Sequence, residues 1–186
     1  MLNKKIDLFN IKKVHDIIYS IITMQAIFNF GSNNPQRLKE RLGRTIPLDS
    51  IVKAKILGYK RHFTNSKHSR DKGGVATLIP STISDDVLGY VTYLTENELQ
   101  ILDKFEGVST GKYERKQFQV LIYNQSSVRK LNVIAYVMTD AFMKNKTIGY
   151  LQPSDEYLRH VLATIHAGGW MKKGGHLFLL EHIPLH

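Results

Sequence analysis

The chain alternates short apolar runs with turn residues, and helical periodicity surfaces in only a few places. AIFNF (26–30) reads as a strand bounded by Gly31. The following NNPQRLKERLG offers Asn34 as an N-cap, Pro35 at the first helical position and Gly43 just past the end, which predicts a short helix. IVKAKILGYKRHF (51–63), GGVATLIP (73–80) and VLGYVTYL (87–94) read as strands, the last two rich in β-branched and aromatic residues. The clearest helix is TENELQILDKFEG (95–107). There Thr95 can cap, Glu98 can complete a capping box, Leu94 and Leu99 occupy the positions of a hydrophobic staple, and Gly107 ends the run. KQFQVLIY (116–123) and LNVIAYVM (131–138) read as strands joined through the polar turn NQSS. A last helix opens at Ser154, with Asp155 and Glu156 in its first turn and an apolar stripe of Leu158, Val161, Leu162 and Ile165 before Gly168 and Gly169. Several strands and three short helices predict one α+β domain built on a barrel-like or strongly curved sheet, antiparallel or mixed.

Ahead of this core, Ile11, Val14, Ile17, Ile18 and Ile21 recur at helical spacing, so residues 1–23 read as an accessory amphipathic helix and the core as 24–186. Residues 14–27 come nearest to a signal-peptide core. His15 and Asp16 interrupt that run and no small-x-small site follows it, so secretion is not expected. No stretch reaches the roughly 20 apolar residues that a membrane-spanning helix needs. The chain has no cysteine, which rules out disulfides, cysteine-based zinc sites and a thiol nucleophile, and agrees with a cytoplasmic location.

Composition adds one asymmetry. The 186 residues are 42% apolar and 23% charged, as in an ordinary globular domain, with a formal net charge of +10. Residues 34–72 carry 11 basic and 3 acidic side chains, whereas residues 73–186 carry 11 of each. The basic stretch suits either a solvated face or an anionic partner, nucleic acid or a small anion.

Two places can carry chemistry. Phe30-Gly31-Ser32-Asn33 lies between a strand and a helix start, where unpaired backbone N–H groups, a glycine and two polar side chains suit an anion, although most such loops merely cap a helix. Glu106 is the last residue before the helix-ending Gly107. There the negative end of the helix dipole opposes ionisation, and water exclusion by Phe105 or other aromatics would favour a proton on it, as general acid–base work requires. A solvated terminal glutamate is the plainer alternative. No HExxH and no G-x-S-x-G occurs, and pairs such as His62/His68 and His160/His166 lack the i, i+4 spacing, so neither a metal site nor a serine hydrolase is expected. Asp85-Asp86 reads as a turn ahead of a strand.

FGSNNPQRL (30–38), GGVATLIP (73–80), LGYVTYLTENELQILDKFEGVSTGKYER (88–115), AYVMT (135–139) and PSDEY (153–157) occur in the order found in gamma-glutamylcyclotransferases, and the chain from Met24 to Ala167 resembles that family. The match is closer to the gamma-glutamylcyclotransferase and gamma-glutamylamine branch than to the glutathione-specific one. The resemblance implies a small mixed β-barrel with flanking helices. Its cavity would cyclise a γ-glutamyl compound to 5-oxoproline without a cofactor or metal. It puts Glu106 at the catalytic acid/base, Gly31, Ser32 and Asn33 in the substrate-holding loop, and Tyr113, Tyr136 and Tyr157 on the pocket wall. Phe30 departs from the family's usual tyrosine, which removes one hydroxyl.

The alternatives are a binding protein of the same fold without turnover and a basic nucleic-acid-binding module. The basic stretch lacks the interleaved stacking aromatics of the latter. Residues 1–23 can pack on the core, mediate self-association into a homodimer, or be dispensable. Residues 168–186 depart from the family's usual ending, and the role of Trp170 there is open.

Overall fold

The computed structural model describes residues 24–65, 73–144 and 151–170; the helix expected within 1–23 and the chain beyond Trp170 lie outside the described residues. Seven strands are present among them: β1 (Gln25–Asn29), β2 (Val52–Leu57), β3 (Tyr59–Asn65), β4 (Gly74–Pro80), β5 (Asp86–Leu94), β6 (Tyr113–Asn124) and β7 (Ser127–Met138). Between them lie helices α1 (Pro35–Leu42), α2 (Glu96–Glu106), α3 (Asp140–Lys144) and α4 (Asp155–Ala167).

Five strands close into a barrel in the order β1-β5-β2-β6-β7. All pairs are antiparallel except the closing one, where β1 meets β7 in parallel with Ile27 opposite Ile134. The expected mixed barrel with flanking helices is therefore the observed architecture. Closure removes the unpaired edges that an open five-stranded sheet would expose. Ile27, Ala54, Ile56, Val91, Val120, Val133 and Ala135, all buried, belong to the core.

One expected strand is two. Residues 51–63 break at Gly58, whose φ of 77° few other residues adopt and whose N–H donates to the Asp85 carbonyl (2.8 Å). β2 stays in the barrel. β3 leaves it and pairs in register with β4 as a separate two-stranded ribbon, Tyr59 opposite Pro80 and Asn65 opposite Gly74. Periodicity could not show this, because both halves are strand-like and the change of partner is a tertiary event. The β6–β7 hairpin also runs longer than its apolar runs suggest, so Tyr113 opens β6 opposite Met138. Helix α3 was not anticipated; Thr139 Oγ1 accepts from the Phe142 N–H (3.1 Å) at its start.

The three expected helices have the caps the sequence proposes. Asn34 Oδ1 accepts from the Arg37 N–H, Ser154 Oγ from the Tyr157 N–H, and Thr95 and Glu98 form the reciprocal capping box. Leu38 of α1 and Leu99 and Leu102 of α2 are fully buried, each stabilising the packing by about 1.5–3 kcal/mol. Asp85 accepts from the Ser81 and Thr82 hydroxyls in the turn before β5, as expected. Gly74 permits a close crossing: a Cβ there would lie 2.0 Å from the Leu151 carbonyl oxygen, and its N–H donates to the Gln152 carbonyl (3.0 Å). That crossing brings the chain entering α4 against β4.

Part of the charge asymmetry resolves internally. Arg41, Arg44, Lys55 and Lys60 of the basic stretch pair with Glu106, Glu98, Asp86 and Asp85. These cations are bound to acids from the later part of the chain rather than gathered as a free basic face. No helix among the described residues is long and apolar enough to cross a membrane.

Candidate active site

One cleft gathers all eight residues singled out in the sequence. Phe30, Gly31, Ser32, Asn33, Glu106, Tyr113, Tyr136 and Tyr157 line it, joined by Phe28, Asn29 and Ala76. Six places in the chain supply the wall: the end of β1, the β1–α1 loop, β4, the end of α2, the β6–β7 hairpin and α4.

The loop is tied down through its carbonyls. Phe30 O accepts from Arg61 Nε (2.9 Å), Gly31 O from Thr164 Oγ1 (2.8 Å), Ser32 O from the Asn34 N–H (2.9 Å) and Asn33 O from the Tyr90 hydroxyl (2.7 Å). Four consecutive carbonyls are thus drawn toward β3, α4, the start of α1 and β5. The N–H groups of Gly31, Ser32 and Asn33 donate to no acceptor among the described residues. Gly31 needs no special backbone conformation. A Cβ there would sit 3.6 Å from both Ala76 Cβ and the Tyr157 hydroxyl, filling space in the cleft wall rather than clashing.

Arg61 and Tyr90 escaped the sequence reading. Arg61 is 5% exposed, has no carboxylate partner among the described residues and binds only carbonyls, those of Phe30 and Leu88; burial lowers its pKa to about 10. A buried cation held by neutral dipoles costs free energy unless its surroundings are fixed around it. The basic stretch was visible in the sequence, but nothing there distinguishes Arg61 from its solvated neighbours.

The tyrosines anchor the opposite wall. Tyr113 donates to Ala76 O (2.8 Å), and the Tyr157 oxygen accepts from the Ala76 N–H (2.9 Å) and also bonds Ser32. Tyr136 donates to Asp103 Oδ1 (2.8 Å), a carboxylate that Arg115 grips through two nitrogens (2.8 and 2.6 Å). Burial pushes all three phenols above their ordinary pKa, and for Tyr136 the bond to Asp103 adds to the effect. They therefore stay protonated near neutrality. The remaining titratable group on the cleft wall is the Glu106 carboxylate.

Glu106 ends α2 with its side chain 15% exposed. Its Oε1 accepts from Arg41 Nη1 (2.7 Å) and from Asn33 Nδ2 (3.2 Å), while Asn33 Oδ1 accepts from the same Arg41 Nη1 (2.6 Å). Two features of the sequence reading need correction here. Phe105 does not screen the carboxylate, being 54% exposed with its ring under the Arg41 guanidinium (5.2 Å); the tyrosines and the loop exclude water instead. The dipole of α2 is also not the only field at Glu106, because a guanidinium counters it. Arg41 lies 65 residues away in the chain, and no local pattern links the two. The residue replacing the family's usual tyrosine, Phe30, packs its ring on Phe28 (6.0 Å) and makes that side of the cleft apolar. Trp170 lies elsewhere, donating to Gly89 O (2.8 Å) with its ring edge-on to Tyr123 and beneath Lys53.

Residues 86–169 match the family model of the AIG2-like family. An uncharacterised human protein of known structure is similar at 24% identity over 81% of this chain and 83% of its own, with a TM-score of 0.63. A structure named as a gamma-glutamyl cyclotransferase is similar at 24% identity over 78% of this chain and 80% of its own, with a TM-score of 0.60. YkqA from Bacillus subtilis is similar at 16% identity over 85% of this chain and 53% of its own, with a TM-score of 0.56. No curated protein matches the chain significantly in sequence. The resemblance drawn from the sequence therefore holds: residues 86–169 carry the AIG2-like pattern, and the chain has the fold of a gamma-glutamylcyclotransferase.

Proposed function

We propose that the protein cyclises a γ-glutamyl amino acid or γ-glutamylamine to 5-oxoproline and releases the amino acid or amine. The observation that carries this reading is the meeting of Glu106 with the Gly31–Asn33 loop, a carboxylate beside three backbone donors without acceptors among the described residues.

The substrate holds its own nucleophile, the α-amine, four bonds from the γ-carbonyl carbon. The protein has to fold it into the reactive conformer, take a proton from the α-ammonium, and return one to the departing nitrogen. Glu106 accepts the first proton. The freed amine attacks the γ-carbonyl, the new C–N bond closes the five-membered ring, and the carbonyl oxygen becomes an oxyanion. As the intermediate collapses, the old C–N bond breaks, and each proton lost by the attacking nitrogen ends on the leaving nitrogen. The free N–H groups of Gly31, Ser32 and Asn33 suit the substrate's oxyanion or its α-carboxylate. The carbonyls of Phe30, Gly31, Ser32 and Asn33, tied back to four elements, keep those donors from reorganising during the reaction. The apolar wall of Phe28 and Phe30 limits water, which would compete as a proton carrier.

The test is direct. The purified protein is incubated with a panel of γ-glutamyl amino acids and γ-glutamyl-lysine-type amines, and 5-oxoproline is measured by chromatography. Release from at least one of them is expected. Tight binding across the panel with no 5-oxoproline formed would replace the enzyme with a binding protein of the same fold.

A further inference from the structure

Both hydrogen bonds that reach the Glu106 carboxylate land on one oxygen. Arg41 Nη1 and Asn33 Nδ2 donate to Oε1, and Oε2 receives no bond from any described residue. The same Arg41 nitrogen also holds Asn33 Oδ1, so arginine, amide and carboxylate form a closed triangle. Asn33 Oδ1 and one of the two Nδ2 hydrogens are used within it, and the backbone N–H of the residue donates to no acceptor among the described residues.

Arg41 is placed to do this by α1. Asn34 and Pro35 start the helix beside the loop, buried Leu38 fixes its rotation, and Arg41 follows one turn later near its end. Its guanidinium lies over the Phe105 ring, one residue before Glu106, so the last turn of α2 is held at two adjacent positions. Arg41 is absent from the cleft lining, whereas both groups it holds are part of that lining.

From this geometry, and resting on the cyclisation reading, we propose that Arg41 is a positioning residue: by occupying Oε1 together with Asn33, it reserves Glu106 Oε2 as the oxygen that takes the proton from the α-ammonium and hands it to the leaving nitrogen. Oε1 stays in its two hydrogen bonds throughout and defines the direction in which Oε2 faces. A carboxylate free to rotate would offer either oxygen and lose the alignment on which proton transfer depends.

The other groups around Glu106 leave Arg41 as the charge that matters. Tyr113 from β6, Tyr136 from β7 and Tyr157 from α4 face it as neutral phenols. Asp103, one turn earlier on α2, is neutralised by Arg115. Arg37, whose charge acts on Tyr157, and Lys112, over the Tyr113 ring (5.5 Å), add positive charge near the cleft, but the ion pair is Arg41's, so removing its guanidinium makes the carboxylate harder to ionise.

The experiment compares wild type, Arg41→Met and Arg41→Lys by kcat, KM and pH–rate profile, with thermal melts to confirm folding. For Arg41→Met we expect kcat to fall about 10–100-fold with little change in KM. The acid limb of its profile should move up by roughly one pH unit or more. Arg41→Lys restores the charge on a shorter, non-planar head group that cannot place its nitrogen where Nη1 bonds both Asn33 and Glu106, so its acid limb should return toward wild type while kcat recovers only in part. An Arg41→Met enzyme that melts normally and keeps the wild-type acid limb would overturn the proposal, whatever its kcat. A second readout needs no turnover: the Glu106 carboxyl is titrated by carbon-13 NMR in glutamate-labelled wild type and Arg41→Met. An upward move of its midpoint in the variant is expected, and equal midpoints overturn the proposal. If wild type releases no 5-oxoproline from any substrate, the cyclisation reading fails, and this titration still decides whether Arg41 governs Glu106.

Discussion

Two arginines of the α1 region reach two glutamates of α2, and the pairs differ in how fully the carboxylate is used. At the start of α2, Glu98 is saturated. Arg44 bonds both its oxygens, and Oε2 also accepts from the Thr95 N–H (2.9 Å) and hydroxyl (3.1 Å). Burial pushes the Glu98 pKa up, but the bonds from Arg44 and Thr95 outweigh it and hold the group below the usual carboxylate range. At the other end, Glu106, which lines the cleft, has one oxygen engaged and the other without a partner among the described residues. The same helix thus carries a carboxylate that fixes structure and one left half-used. A carboxylate with every lone pair satisfied holds a fold together; one with an oxygen to spare can exchange a proton.

The largest test of this contrast is to neutralise each acid in turn. Glu106→Gln keeps an acceptor for Arg41 and Asn33 but removes the proton carrier, so 5-oxoproline release should fall about 10²–10⁴-fold while the melting temperature stays close to wild type. Undiminished release would remove Glu106 from the chemistry. Ser32→Ala probes the opposing loop. It should change kcat/KM by the worth of one hydrogen bond, about 0.5–1.5 kcal/mol or roughly 2–12-fold. An identical kcat/KM would show that the hydroxyl serves only its bond to Tyr157.

Glu98→Gln should do the reverse of Glu106→Gln, leaving release unchanged and lowering stability by about 1 kcal/mol, or about 2–4 °C in melting temperature. The smallest effect is its pH dependence. Because the folded-state pKa of Glu98 is depressed, its contribution is fully present above the unfolded value of about 4.3 and is lost as pH falls through the folded value. The gap in melting temperature between wild type and Glu98→Gln should therefore close as pH drops below about 4. A gap that persists at low pH would assign the stabilisation to packing rather than to the ionised carboxylate.

The start of α2 was legible in the sequence because its determinants are local. Thr95 and Glu98 are three residues apart and bond only when a helix begins between them, and Leu94 and Leu99 bury together with it. The other end of α2 was legible in part. Glu106 and the loop were each a weak signal, and their resemblance to a known family joined them before any geometry was available. Arg41, Arg61, Tyr90 and Thr164 stayed hidden, since each acts on a partner 31 to 133 residues away. The break at Gly58 was equally concealed, because a glycine within a strand-like run reads the same whether the strand bulges or changes sheets.

By itself the sequence determined the helices and their ends, most of the strands and the residue types able to do chemistry, because capping, turns and alternation depend on neighbours a few positions apart. Tertiary structure alone decided that β3 leaves the barrel, that four cations of the basic stretch pair with acids of the later chain, and that Glu106 Oε2 has no partner among the described residues. Those outcomes depend on which side chains meet across the closed barrel, and chain closure brings together groups whose separation in sequence carries no trace of the encounter.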